Sequence, residues 1–445
     1  MMVVLKTWLL KLLIVVYVVH TLVVVPYGEA ILATLTAVVI VLLLGHLRGF
    51  SRVISSFMLL TGFLIIMATG NVGLIKSSLT VNLPLVVLLV TVPVMGFPLR
   101  LGKYDEQLSN FVKKHGRNNN RLFFSITSVF FLIGPVINMG SIKLMNNLVE
   151  KLALAKGLLA RSYMQGFTST LLWSPFFASL LLVLNLVGLS LYTYLPFGLG
   201  IAVLHILVAN VLYSKFAKDT AFSSAGVQTV RMRRIYELVI VFVLFFCAVF
   251  LIDRLLGISM IISVTFAAVL VAIIWSLYLR VEREFMSNVK EYSGKTILLS
   301  SNEVVLFTTA GFFGAVIATT EVGAFINRFV LLVSESSVLL LILSIILITA
   351  LLALGGVHQI VTITALATTV RPLEVGVDPL IFALTLMSAW SIATILSPIS
   401  AANVIIMNLI RRRYKEVAFT FNGAFILVMT GMYTIFIYVV HLFFT

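Results

Sequence analysis

Apolar runs long enough to cross a lipid bilayer recur along this whole sequence, and the loops between them hold most of its lysines and arginines. A hydrocarbon core takes roughly 20 apolar residues per helix, and within it every backbone polar group must be paired by the protein itself. Composition agrees. Of 445 residues, 61% are hydrophobic and 11% charged, against about 25% charged in an ordinary soluble domain. Too few polar side chains exist to cover a surface facing water. A soluble enzyme, a secreted domain and a nucleic-acid binder are therefore excluded as classes, and the expected fold is an all-α polytopic membrane protein. One cysteine, Cys247, rules out an internal disulfide and any multi-thiolate metal site. The first 13 residues carry lysines and an apolar run without a small-residue cleavage site, which reads as a retained helix.

Eleven spans are expected, at 3–24, 30–44, 55–69, 81–97, 163–189, 194–213, 235–252, 258–279, 304–325, 379–410 and 417–444. Two further apolar segments do not read as simple spans. The first, 122–154, meets Gly134-Pro135 and continues with Asn138, Ser141, Lys143 and Asn146. The second, 338–370, meets Gly355-Gly356 and continues with His358, Gln359, Thr362 and Thr364. Each half is expected to be too short to cross, so both segments read as re-entrant helical hairpins. The basic loops test the count: 48–52, 100–121, 215–234, 280–295 and 411–415. If all face the cytoplasm, each interval between them holds an even number of crossings. Treating both segments as hairpins satisfies every interval, with the N-terminus inside and the C-terminus outside a cytoplasmic membrane of prokaryotic type.

The chain also repeats itself. At one constant offset, Met164 meets Met387, Ser174-Pro175 meets Ser397-Pro398, Ala178 meets Ala401 and Asn185-Leu186 meets Asn408-Leu409. The offset also superposes 81–97 on 304–320 and brings the two hairpin breaks within about two residues of each other. The parity makes the first hairpin enter from the cytoplasm and the second from outside. Paired broken helices in an inverted repeat are the layout of many secondary transporters. The organisation expected is N-terminal helices at 1–80, a first repeat at 81–214, linker helices at 215–301 and a second repeat at 302–445.

A proline inside a helix frees a backbone carbonyl, and in lipid such a group persists where it meets polar groups, water or an ion. Around Pro175 lie Thr168, Ser169, Thr170 and Ser174; around Pro398 lie Ser391, Thr394, Ser397, Ser400 and Asn403. These neutral oxygens beside freed carbonyls suit a weakly held Na⁺ near Ser174 or Ser397. The half-helix N-termini beyond each break suit a carboxylate or oxyanion. Hairpin tips with Asn138 and Ser141, and with His358, Gln359 and Thr362, would complete two pockets. Any single Ser or Thr can instead bond back to its own helix, and His358 can carry a proton or pack. The partners expected are a small anionic solute and the bilayer; no cofactor is expected beyond a coupling ion, Na⁺ or H⁺.

With these features in place, the chain resembles the ion transporter superfamily, which holds divalent anion/Na⁺ symporters, citrate symporters and arsenite exporters. The run 396–403, Leu-Ser-Pro-Ile-Ser-Ala-Ala-Asn, is similar to the break of its second broken helix, and Gly355-Gly356-Val357-His358 to a hairpin tip. The Ser-Asn-Thr signatures of the anion/Na⁺ symporters are absent. The resemblance implies a homodimer with elevator-like motion and transport of a small metabolite. Alternatives are a toxic-oxyanion exporter or a cation/proton antiporter, and, from other classes, a membrane-embedded enzyme or an assembly subunit. No His-Glu-x-x-His, paired intramembrane aspartates or GxxxxGK[ST] motif is present, so an enzyme is not expected.

Overall fold

The computed structural model describes every residue except 1, 24, 48, 115–117, 153, 218–231, 295 and 445, and leaves the side chains of residues 2 and 151 undescribed. Arg48, Arg117, Lys218, Arg231 and Lys295, which enter the orientation argument, lie outside the described residues. Helices joined by short turns make up the described residues, with no strand among them. Ten of their helices are long and apolar enough to cross a membrane, so the chain is an integral membrane protein. Two expected spans fall short of that length: Gly28–Leu44 has 17 residues, and the first Ser-Pro helix is split into Lys156–Leu171 and Ala178–Val187.

One expectation is corrected. The first half of the first interrupted segment is a 19-residue helix, Asn119–Ile137, long enough to cross by itself. It runs through Gly134-Pro135, where Pro135 forgoes one helical hydrogen bond, and closes on Asn138 N donating to Gly134 O at 2.8 Å. The interruption comes at Asn138 instead, with φ 54°, before Gly140–Val149 begins. The second segment does break at its glycines. Val338–Leu354 ends at Gly355, Gly356 takes φ +88°, where only glycine is comfortable, and Gln359–Thr369 follows. A second difference concerns the span expected at 304–325. The helix Ser301–Ile317 stops after Ile317, and an amphipathic helix, Glu321–Ser336, starts past a short turn. Two other amphipathic helices, Tyr104–Lys114 and Glu282–Gly294, occupy stretches that read as charged loops.

The elements keep one order in both halves: a span, an amphipathic helix, an interrupted segment, a broken helix and a final long helix. The second halves of the broken helices, Ala178–Val187 and Ala401–Ile410, coincide without a shift at the offset that aligns Pro175 with Pro398.

By its contacts the chain divides into two compact units, which cut across the repeats. The first comprises Met1–Leu101, Leu244–Phe329 and Thr364–Arg371. Its core joins Leu10, Val39 and Ile40 to Leu83, Val86, Val305 and Phe312. Without a hydrophobic drive between helices in lipid, close backbone approach at small residues does the packing. At Gly62 an added Cβ would run into the Phe312 ring, and at Gly311 into the Asn82 side-chain amide. Asn82 is fully buried at the bend between Leu74–Thr80 and Leu83–Thr91, and its amide donates to Phe307 O at 2.8 Å.

The second unit comprises Gly102–Val243, Val330–Ile363 and Pro372–Thr445 and contains both broken helices. Helix Asn119–Ile137 packs along Lys156–Leu171 through Gly166 against Phe130 and Gly134 against Thr170. Helix Val338–Leu354 likewise packs along Pro379–Leu396, without a glycine in either. The first half of each broken helix lies against the second half of the other, which is the pairing of antiparallel neighbours.

Two predictions follow from this packing. Gly311→Ala expels the Asn82 amide from its bond to Phe307 and lowers stability by about 1–3 kcal/mol; an unchanged melting temperature in detergent would refute the contact. In a Cys247→Ser background, cysteines placed at Lys114 and Lys215 label from the same side of the membrane if the first interrupted segment turns back. Labelling from opposite sides would make it a crossing.

Candidate functional site

All sixteen candidate residues fall within the second unit. At the second break the helix Pro379–Leu396 stops, residues 397–400 are extended or turned, and Ala401–Ile410 resumes. Pro398 has no N–H to give, and the following turns cannot reach back to the last carbonyls. Side chains take over. Asn403 sends its amide to Ile395 O at 2.7 Å, Ser397 O at 2.8 Å and Thr394 O at 3.3 Å. Ser400 Oγ donates to Thr394 O at 2.8 Å and accepts from Asn403 N at 3.2 Å, capping the resumed helix. The Tyr414 hydroxyl donates to Leu396 O. Every freed carbonyl from Thr394 to Ser397 thus has a donor.

What remains at this break is a group of buried oxygens without partners. Ser397 Oγ, Asn403 Oδ1 and Ser388 Oγ are buried without a hydrogen-bond partner. Gln359, from the tip of the second interrupted segment, donates its amide to Thr394 Oγ1 at 3.3 Å, and its Oε1 is likewise buried and unpaired. Thr394 itself donates to Trp390 O at 2.8 Å. Three oxygens therefore gather around Thr394 and the break with lone pairs unused: Gln359 Oε1, Ser397 Oγ and Asn403 Oδ1. His358 is turned to a local task, its Nδ1 accepting from Ile360 N at 3.2 Å. Thr362 is buried one turn beyond Gln359.

The first break has the opposite character. Thr168, Ser169 and Thr170 bond back to Met164 O, Gly166 O and Phe167 O at 2.6–2.8 Å. Ser174 Oγ accepts from Phe176 N at 3.3 Å beside the buried Pro175, and Tyr194 donates to Leu172 O at 2.8 Å, the counterpart of Tyr414 at the second break. The resumed helix Ala178–Val187 has no side-chain cap on its N-terminus. Ser179, in its first turn, is 5% exposed and its hydroxyl is unpaired. At the tip of the adjacent interrupted segment, Asn138 accepts from Met139 N at 2.7 Å through its side chain and from Ser141 Oγ at 2.6 Å through its carbonyl. That segment lies against the break, with Phe131 stacked on Trp173 at 5.0 Å and Gly134 against Thr170.

A buried network that sequence reasoning missed joins the two broken helices. His205, on Leu191–Phe216, holds Nε2 at 2.9 Å from Gln165 O and places Nδ1 on the Tyr433 hydroxyl. A carbonyl only accepts, so Nε2 carries the proton and Nδ1 accepts from Tyr433. The Tyr433 oxygen is then left to accept from Ser391 Oγ at 3.3 Å. Thr168, which occupies the repeat position of Ser391, lies 3.4 Å from His205 Nε2. Gln165 donates to Asn422 Oδ1 at 2.9 Å, and Asn422 donates to Val417 O at 2.7 Å. A lone histidine midway along an apolar helix was the one available signal. Among the described residues no group of three or more His, Cys, Asp or Glu side chains comes together, so a cation at either break would be held by neutral oxygens.

Asn403→Leu strands Ile395 O and costs about 1–3 kcal/mol. Asn403→Asp, which cannot donate, melts as early as the leucine variant. Wild-type melting in the aspartate variant would refute the capping role.

No protein-family model matches the chain, and no curated protein matches its sequence. Among solved structures it is similar to the YdaH transporter of Alcanivorax borkumensis, a crystal structure described as having an unusual topology, with TM-score 0.57 and 14% identity over 83% of this chain and 88% of that one. The likeness is one of fold: a polytopic helical architecture shared with a transporter.

Proposed function

We propose that the protein is a secondary active transporter of a small anionic metabolite, driven by Na⁺ or H⁺, with the substrate held at the first helix break and Na⁺ at the second. The observation that carries this reading is the contrast between the two breaks. One offers an uncapped helix N-terminus and an unpaired Ser179 hydroxyl; the other offers three unpaired buried oxygens and no uncapped carbonyl. An anion is stabilised by N–H groups at the positive end of a helix. A cation of low charge density suits neutral oxygens with free lone pairs, and discontinuous helices provide both kinds of site in transporters. The fold shared with the Alcanivorax transporter supports the same class. Antiparallel packing of the broken helices suits an alternation between two access states, and a homodimer is the assembly this reading adopts.

The test is flux in proteoliposomes under imposed Na⁺ or proton gradients, with a panel of labelled carboxylates and oxyanions. At least one solute is expected to accumulate with the Na⁺ gradient. Ser397→Ala then raises the half-saturating Na⁺ concentration about tenfold, the effect of about 1.4 kcal/mol, while Ser179→Ala weakens solute affinity with little change in Na⁺ dependence. Accumulation driven by protons alone would remove the Na⁺ assignment, and no flux under any gradient would remove transport itself.

A further inference from the structure

We propose that a cavity in the first unit, beside the turn at Gly45 and His46, binds the phosphate headgroup of an anionic phospholipid. The cavity measures about 460 Å³, and its polar wall is made by His46, Arg52, Ser301 and Asn302. Among the described residues neither the Arg52 guanidinium nor the His46 ring has a hydrogen-bond or ion-pair partner. Ser301 turns its hydroxyl proton to Leu298 O at 2.6 Å, leaving its oxygen in the wall. Glu303 follows Asn302 in sequence but does not line the cavity. A guanidinium offers a fork of donors that matches two phosphate oxygens, and the Asn302 amide and the imidazole add further donors.

The position selects a lipid over a free anion. Helix Gly28–Leu44 ends here, helix Phe50–Thr69 begins here, and the span Thr296–Ile317 starts here, so the cavity lies at a membrane edge. On the same helix, Phe50–Thr69, and about a quarter turn round from Arg52, lies an apolar stripe of Phe50, Val53, Phe57, Leu60 and Leu64, each between 37% and 67% exposed. These positions recur every three or four residues and share one helix face. Leu299, 77% exposed, stands at the rim. A headgroup on Arg52 would lay its acyl chains along that stripe. Basic pockets between helices at the membrane surface are the sites where anionic headgroups are held.

The experiment uses the full-length protein in detergent, titrated with phosphatidylglycerol, phosphatidylcholine or inorganic phosphate and read by native mass spectrometry and thermal shift. Phosphatidylglycerol is expected to be retained and to raise the melting temperature, with the other two ineffective. Arg52→Gln lowers its affinity about fivefold, the equivalent of about 1 kcal/mol for one basic residue at an anionic headgroup. Arg52→Lys keeps most of the affinity, and Arg283→Gln on the exposed face of Glu282–Gly294 leaves it unchanged. Equal binding of phosphatidylcholine overturns the proposal. So does inorganic phosphate matching phosphatidylglycerol, or an equal loss in Arg283→Gln, which would mean diffuse surface charge.

Discussion

A helix interrupted inside a membrane exposes carbonyls that no water is present to satisfy, and the second unit is organised around meeting that demand. One side chain does most of it at the second break. The Asn403 amide reaches three carbonyls from the far side of the interruption, folding the start of the new helix back over the end of the old one. Because Ser400 and Tyr414 take the rest, the break is stable without a ligand. The atoms left unpaired there are the amide oxygens of Gln359 and Asn403 and the hydroxyls of Ser388 and Ser397.

The first break meets the same demand with less. Its residues 172–177 hold their hydrogen bonds locally through Ser174, and Tyr194 covers Leu172 O. No asparagine reaches across, so the new helix begins with its N–H groups uncapped. The two breaks occupy matching places in a repeated order of elements, yet differ in what they leave unpaired: an uncapped helix start and the Ser179 hydroxyl at the first, two amide oxygens and the Ser397 hydroxyl at the second. That difference, with Asn403 standing where the first repeat position holds Leu180, is what the proposed anion and cation sites rest on.

How much of this could be read from the sequence depends on whether the decisive partner is near in the chain. Gly355-Gly356 was legible as a break because a positive φ next to an apolar run demands glycine. The Ser-Pro pairs were legible because proline removes a donor wherever it stands. Gly134-Pro135 misled for the same reason. The helix carries Pro135 at the loss of one hydrogen bond, and the actual corner is Asn138, a residue that accepts a positive φ and pairs its own side chain with the next amide. The amphipathic helices were hidden because their charge reads as loop until the apolar face is counted. Asn403 was visible as a polar residue near a break, but its role as a cap depends on a turn geometry that spacing alone does not specify.

The network through His205 was out of reach for a different reason: its links span 228 and 257 residues. Its chemistry bears on how the broken helices act together. With Nε2–H fixed on the Gln165 carbonyl, the ring can only accept from Tyr433, and Tyr433 can only accept from Ser391. One backbone carbonyl in the first broken helix thus sets the direction of a hydrogen bond ending on the second. Gln165 also anchors Asn422 at the start of the last helix, so a rotation of Lys156–Leu171 that moves this residue must disturb both links. Buried polar chains of this kind tolerate few half-satisfied states. The two broken helices are therefore linked through His205 and Tyr433, and under the proposed function that link is what would couple a solute at one break to an ion at the other.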